Sequence, residues 1–204
     1  MLSDQQLTGL TIVLRHGEDE ASAALSKWLG KSARISVEQV EQLPLAEATA
    51  VLGSPEAPIC SCAMAMRGRI TGQLILVFDD ASGLALADLL LGNPVGASTA
   101  WGEVEQSAAL ETTNIIGCAY LNALVHFIRI KEGATSELVP SPPRFVRDFA
   151  ESLMQFALMN QAMASDVVFL TRTEFSIEGA PVNWNLLFVP DAESLATLQE
   201  MLPA

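Results

Sequence analysis

The sequence is poor in basic residues. Its 204 residues include 11 lysines and arginines against 24 aspartates and glutamates, which gives a formal charge of −13. The acidic residues are spread through the chain rather than gathered in a tail. This shortage of positive charge argues against a nucleic-acid or anionic-membrane surface and permits a partner with a basic patch. A plainer interpretation is that the acidic side chains keep an apolar domain in solution.

Histidine and cysteine are also scarce. The two histidines, His16 and His126, are far apart, and Cys60, Cys62 and Cys118 have no metal-ligand spacing with them. We therefore expect no metal bound by this chain and interpret the cysteines as reduced core thiols.

The chain lacks a long uninterrupted apolar run, although half of its residues are hydrophobic. The longest such stretch, Ile115 to Ile128, is too short to span a bilayer and contains Asn122 and His126. The N-terminal residues have neither the basic start nor the apolar segment of a signal peptide. These features predict a cytoplasmic protein.

One stretch, residues 107–124, carries a polar trio that is suited to chemistry. At about 100° per residue, Ser107, Glu111 and Asn114 fall within about 60° of one another on a helix. The neighbouring arc is apolar and comprises Leu110, Gly117, Leu121, Leu124 and Ile128. A single long helix would therefore bury one side in the core and show the trio on another.

The rest of the chain alternates helices with strands. A capping box at Ser3 and Gln6 opens a helix that runs to about Leu29 and stops at Gly30. The central helix starts at a cap on Ser98 or Thr99, and an extended Pro-rich segment follows it. Further helices are predicted over 45–52, 81–91, 147–163 and 192–201. Strands are predicted over 34–40, 57–66, 73–78, 167–177 and 183–189. The Pro-rich segment covers 131–143.

Two segments in different halves of the chain repeat each other. Gln73 to Leu90 aligns without a gap to Trp184 to Met201, which matches strand to strand, helix to helix and Asp80 to Asp191. Each copy of the strand follows an apolar strand and a turn that contains glycine. These strand–turn–strand pairs predict a mainly antiparallel sheet.

The start of the chain also matches the central helix, with Ile12 to Leu25 laid on Glu111 to Leu124. Two copies of so long a unit are typical of one duplicated domain rather than a solenoid. We predict an α+β fold with pseudo-twofold symmetry and packed long helices, made of repeats at about 1–95 and 96–204.

The pattern Ser107-x-x-x-Glu111-x-x-Asn114, followed by Ile-Ile-Gly-Cys-Ala-Tyr-Leu-Asn-Ala-Leu, resembles the signature of the CheC/CheX/FliY family. The similarity covers nearly the whole chain, because residues 23–30, 86–92, 173–179 and 186–191 also resemble the family. It implies a CheC-like fold and a bacterial chemotaxis phosphatase that acts on the phosphorylated response regulator CheY. It leaves open whether a CheD-like protein binds and whether the chain forms oligomers.

The resemblance also implies roles for single residues. Asn114 would accept a hydrogen bond from the attacking water, which a neutral amide does without placing negative charge beside the phosphoryl group. Glu111 would form a salt bridge to a lysine of the regulator, and Ser107 would lie at the edge of the contact. Pro140 matches the family's later proline, about three residues beyond the usual spacing. The regulator, not this chain, would supply Mg²⁺.

The first half departs from the family pattern. The positions that match Glu111 and Asn114 are Ile12 and Arg15, which have neither a carboxylate nor an amide oxygen. We therefore predict one working site. Two alternatives stay open: Glu111 and Asn114 are an ordinary solvated helix face, or the chain is a non-catalytic binding or scaffold protein of the chemotaxis and flagellar-switch system.

Overall fold

The structure, a computed structural model, describes residues 1–51, 56–133, 137–153, 167–180, 182 and 184–203. Both helices and strands occur in each half of the chain. The helices are α1 (Asp4–Arg15), α2 (Glu18–Leu29), α3 (Leu45–Val51), α4 (Asp80–Leu91), α5 (Glu103–Glu132) and α6 (Ala192–Met201). The strands are β1 (Ala33–Pro44), β2 (Pro58–Gly68), β3 (Gly72–Phe78), β4 (Leu138–Pro140), β5 (Arg144–Phe149), β6 (Val167–Ile177) and β7 (Trp184–Pro190).

The strands form one antiparallel sheet in the order β1-β6-β7-β3-β2-β4, and β5 also pairs with β2. The prediction of an α+β fold with a mainly antiparallel sheet and a long packed helix is confirmed. Strands β3 and β7, which the repeat matches to each other, pair at the centre of the sheet. The repeat boundaries at about residue 95 stay a prediction.

The alignment between the halves was predicted one residue out of register. Asp79, not Asp80, is the N-cap of α4, just as Asp191 is the N-cap of α6, and each carboxylate accepts the N–H of a serine three residues on. The Asp79-Asp80 doublet hides this shift in the sequence. A slip of one residue matters, because it moves every strand side chain to the opposite face of the sheet.

The two faces of the sheet support different cores. On one face, Leu74, Leu76 and Phe188 belong to the large core beneath α1, α2 and α5. On the other face, Ile75 and Leu187 belong to a smaller core that includes residues of α3 and residues 150–153. The sheet is therefore buried on both sides, which explains why its central strands read as continuous apolar runs.

The N-terminal segment forms two helices where the sequence predicts one. The capping box at Ser3 and the left-handed C-cap at Gly30 are confirmed, but α1 ends at Arg15 and Gly17 starts α2. A Cβ at Gly17 would come within 3.2 Å of the Tyr120 ring, so the absence of a side chain lets this junction lie against α5.

Helix α5 begins at Glu103 rather than at the predicted Ser98 or Thr99. Gly102 is its N-cap, and Glu105 reaches back to the Gly102 N–H at 3.0 Å. The helix spans 30 residues and, by length and composition alone, could cross a membrane, although 44% of its most apolar window is buried in the fold. The apolar segment of this helix is therefore longer than the predicted stretch Ile115–Ile128. This one helix is weak evidence for a span, because core helices pass the same test.

The segment after the prolines differs from its prediction. Arg147 to Phe149 belong to strand β5, paired with β2, instead of starting a helix. Residues 150–153 are helical, and the rest of the predicted 147–163 helix lies outside the described residues. The α5 helix also continues two residues into the segment that was predicted to be extended.

Candidate functional site

The predicted polar trio lies on one side of α5. Ser107 and Glu111 are exposed and Asn114 is half-buried, while Thr112 and Thr113 between them face the interior. Thr112 accepts a 3.2 Å hydrogen bond from the Trp28 indole of α2. These inward contacts fix the rotation of α5 about its axis, so Glu111 and Asn114 must point outward.

The helix is seated closely on the sheet below the trio. Gly117 lies against the Met64 side chain of β2, in space that a Cβ would occupy. Asn114 lies three residues before this contact on the same helix. A larger residue at 117 would displace the end of the Met64 side chain.

A groove runs between the trio and the proline segment. It has a volume of about 450 Å³, and on one side it is lined by Ser107, Glu111 and Asn114. Pro140 and the next three residues, 141–143, form the other side. We call this space the Asn114 groove. It brings together all four residues that the sequence singled out, including Pro140 despite its unusual spacing.

Ser141 holds the proline side of the groove in place, and sequence reasoning missed it. Its N–H donates to the carbonyl of Ala65 in β2 at 2.8 Å, and its hydroxyl accepts the Ala65 N–H at 3.0 Å. These two hydrogen bonds to Ala65 of β2 hold in place the wall of the groove that faces Asn114. A polar residue between Pro140 and Pro142 was the only available signal.

The polar groups of the groove are free to accept hydrogen bonds. Within the part of the chain described, Glu111 makes no hydrogen bond or ion pair, and the Asn114 amide oxygen has only the Cys118 thiol, at 3.7 Å. Burial, with the nearby charge of Glu111, raises the pKa of Cys118, so this thiol stays protonated. Among the residues that the structure describes, no lysine or arginine lines the groove. The site can therefore receive a cation at Glu111 and a water at Asn114.

Known proteins share this fold and part of this sequence. The chain is 21% identical to the CheY-P phosphatase CheC of Bacillus subtilis (strain 168) over 201 residues, which cover 97% of this chain and 93% of that protein. The crystal structure of Thermotoga maritima FliY superposes with a TM-score of 0.77 at 20% identity, covering 98% of this chain and 97% of that one. The chain is a CheC/CheX/FliY-like protein.

The same fold also occurs in proteins with lower sequence identity to this chain. The FliM middle domain from H. pylori has the same fold, with a TM-score of 0.65 at 14% identity over 98% of this chain and all of that one. No protein-family model matches the chain. The comparisons thus show that this chain has the fold of these proteins and is similar to CheC along its length, whereas a catalytic role needs an argument from its own residues.

The first-half positions of this CheC-like chain have surroundings that differ from those of the trio. Ile12 is 50% exposed near the end of α1, and Arg15 is its last residue. The Arg15 guanidinium donates to the carbonyls of Val37 and Glu38, where β1 has an irregular register with β6. Arg15 therefore supports a strand. Helix α1 ends at Arg15, about one turn after Ile12, whereas α5 continues to Glu132, well beyond Asn114.

A polar network behind the site ties β5 to the helices of this CheC-like chain. The Asp80 carboxylate accepts hydrogen bonds from Arg147 of β5, from the Trp101 indole at 2.7 Å and from the Cys60 thiol at 3.3 Å. The Arg147 hydrogen bonds, with smaller contributions from Trp101 and Cys60, lower the pKa of Asp80 to about 2 despite partial burial. This network joins the end of the proline segment to the approach to α5.

The cysteines are free in the structure, as the sequence predicted. Burial raises the pKa of Cys60 and Cys62, the latter to about 12, so both thiols remain protonated. Among the described residues, no group of three His, Cys, Asp or Glu side chains could hold a metal ion.

Proposed function

We propose that the chain is a phosphatase that hydrolyses the aspartyl phosphate of a CheY-like response regulator in the cytoplasm. The observation that carries the proposal is the pairing of a free Glu111 with an outward Asn114 on one helix face, beside a fixed proline wall. The similarity to CheC, a CheY-P phosphatase, over nearly the whole chain supports the same assignment.

Hydrolysis of the aspartyl phosphate requires few groups from this chain. Water attacks phosphorus, the bond between phosphorus and the aspartyl oxygen breaks, and inorganic phosphate and a free carboxylate result. The regulator is expected to supply Mg²⁺ and a lysine for the phosphoryl charge, so what it lacks is a water held in line. The Asn114 oxygen accepts a hydrogen bond from that water, and such positioning can be worth several kcal/mol.

Glu111 has a different role in this proposal. Its carboxylate lies one helical turn before Asn114, with no cation of the described chain beside it. A salt bridge from Glu111 to a lysine of the regulator would set the distance and direction of α5 over the phosphoryl group. Ser107 and Pro140 then lie at opposite sides of the contact.

Loss of label from phosphorylated regulators tests the proposal. CheY-type receiver domains from the same genome, labelled with ³²P, are followed with and without this protein at catalytic concentrations. The proposal expects faster loss from at least one of them, with release of inorganic phosphate. Unchanged decay for every receiver domain would contradict it.

A non-catalytic role in the flagellar switch is the second candidate. The likeness in fold to the FliM middle domain makes it relevant, since another structure shows FliM from H. pylori in a complex with FliG. Such a role needs binding without turnover. The free Glu111 and Asn114 favour the phosphatase, because a scaffold gives no reason to keep an open carboxylate and amide together.

A further inference from the structure

A second groove adjoins the Asn114 groove on the N-terminal side of Glu111. Its walls are Trp28 of α2, Leu91 at the end of α4 and Val104 in the first turn of α5, and its volume is about 630 Å³. We call it the Trp28 groove. Ser107 and Glu111 line both grooves, so the two form one continuous surface along α5.

The walls of the Trp28 groove are unusually apolar for exposed positions. Trp28 is 41% exposed, Leu91 47% and Val104 53%, and they come from three different helices. Scattered apolar residues on a surface need no explanation, but a concave cluster of large ones marks a binding surface. The Trp28 ring is also held by its hydrogen bond to Thr112, so little side-chain freedom is lost when a partner covers it.

The charge of the groove selects the type of partner. Glu103 and Glu111 line it, and no lysine or arginine does so in the part of the chain that the structure describes. Acidic groups around an apolar surface complement an apolar side chain that has basic neighbours, and they repel acidic partners. Glu111 lines both grooves, so its negative charge attracts basic groups to both. This favours a single partner that covers the two grooves together.

Distance along the helix indicates the same partner. Val104 and Asn114 are ten residues apart, which is about 15 Å along α5. A specific protein interface covers about 800 Å² on each partner, or roughly 30 Å across. An interface of that size centred near Asn114 is wide enough to include the Trp28 groove.

We propose that the Trp28 groove is a second docking site for the response regulator, which inserts there an apolar side chain flanked by lysine or arginine. The inference rests on the proposed function, because it takes the phosphorylated regulator as the occupant. It adds a contact that sets affinity and choice of regulator, apart from the residues that act on the phosphoryl group.

A pair of matched variants tests this docking. Leu91→Lys places a positive charge in the groove at the end of a helix, and Ile130→Lys makes the same change in the last turn of α5. Ile130 is 67% exposed and lies about 24 Å from Asn114 along the helix, on nearly the opposite side. Val104→Ala is a third variant, which removes apolar contact without adding charge.

The measurement is the dissociation constant for CheY-type receiver domains from the same genome, loaded with beryllofluoride and Mg²⁺ as a phosphate mimic. All variants carry Asn114→Ala, so that turnover plays no part. We expect Leu91→Lys to weaken binding by at least about tenfold, Val104→Ala by about threefold and Ile130→Lys not at all.

The outcomes separate this inference from the proposed function. Equal affinities for the Leu91→Lys and Ile130→Lys proteins would overturn the docking site, while label loss could still establish the phosphatase. Binding that depends on Leu91, without any hydrolysis by the unmodified protein, would support the docking site and overturn the phosphatase. Failure to bind any receiver domain would overturn both.

Discussion

The Arg147 guanidinium forms a two-point ion pair with the Asp80 carboxylate, with Nη2 2.6 Å from Oδ2 and Nε 2.8 Å from Oδ1. Arg147 comes from the edge strand β5 and Asp80 from the first turn of α4. The pair therefore fastens β5, which follows the proline segment, to α4, and α4 packs against α5.

We expect Asp80→Asn to destabilise the fold by about 1 to 2 kcal/mol at pH 7, a value reduced because both side chains are partly exposed. The folded-state pKa of Asp80 is lowered to about 2. Its contribution is therefore present above the ordinary aspartate pKa near 4 and lost as the pH falls towards 2. Urea unfolding at several pH values should show the gap between the two proteins narrowing over that range. A gap independent of pH would contradict this account.

Ser141→Ala should loosen the proline wall of the Asn114 groove. It removes the hydroxyl that accepts the Ala65 N–H, at a cost of about 1 kcal/mol and a fall in Tm of about 2–4 °C. KM for the phosphorylated regulator should rise as well. Ser176→Ala, on an exposed position of β6, is the control for loss of a hydroxyl. An unchanged Tm and KM would remove Ser141 from this role.

Glu111→Lys should weaken regulator binding by at least about tenfold at low salt, because attraction to the regulator's lysine becomes repulsion. The effect should shrink in 0.5 M salt, where the Debye length is only about 4 Å. The control is Glu174→Lys, the same charge change on β6, next to the sheet edge opposite β4. Affinity that does not change would exclude Glu111 from docking.

Arg15→Ala should leave turnover within about twofold of the unmodified protein, since Arg15 supports β1 and belongs to no working site. Its lost hydrogen bonds to Val37 and Glu38 should lower stability by about 1 to 2 kcal/mol. Steady-state hydrolysis and thermal unfolding measure the two effects separately. A loss of activity as large as that of Asn114→Ala, with the fold intact, would mean that the first half works.

The sequence predicted most elements because their signals are local. The capping box at Ser3, the C-cap at Gly30 and the apolar strands require only neighbouring residues. The trio followed from helical spacing, and its role from the family resemblance.

The errors arose where tertiary contacts decide. The first helix breaks at Gly17, which lies against α5, and Arg147 pairs with β2 in the sheet and with the Asp80 carboxylate. The repeat register failed at Asp79-Asp80, where only the cap geometry shows which aspartate is equivalent to Asp191. Ser141 was missed because its partner, Ala65, is distant in sequence.

The most direct test of the proposed phosphatase compares Asn114→Ala with Asn122→Ala. Asn122 lies on the same helix and is exposed. Its amide donates a hydrogen bond to Glu20, and it does not line the Asn114 groove. Single-turnover release of phosphate from the labelled regulator, with all regulator bound, measures the chemical step. We predict that Asn114→Ala slows it by about 100-fold or more with the dissociation constant within about threefold, and that Asn122→Ala has no effect. Equal rates for the two variants, with binding and fold intact, would contradict a water held by Asn114.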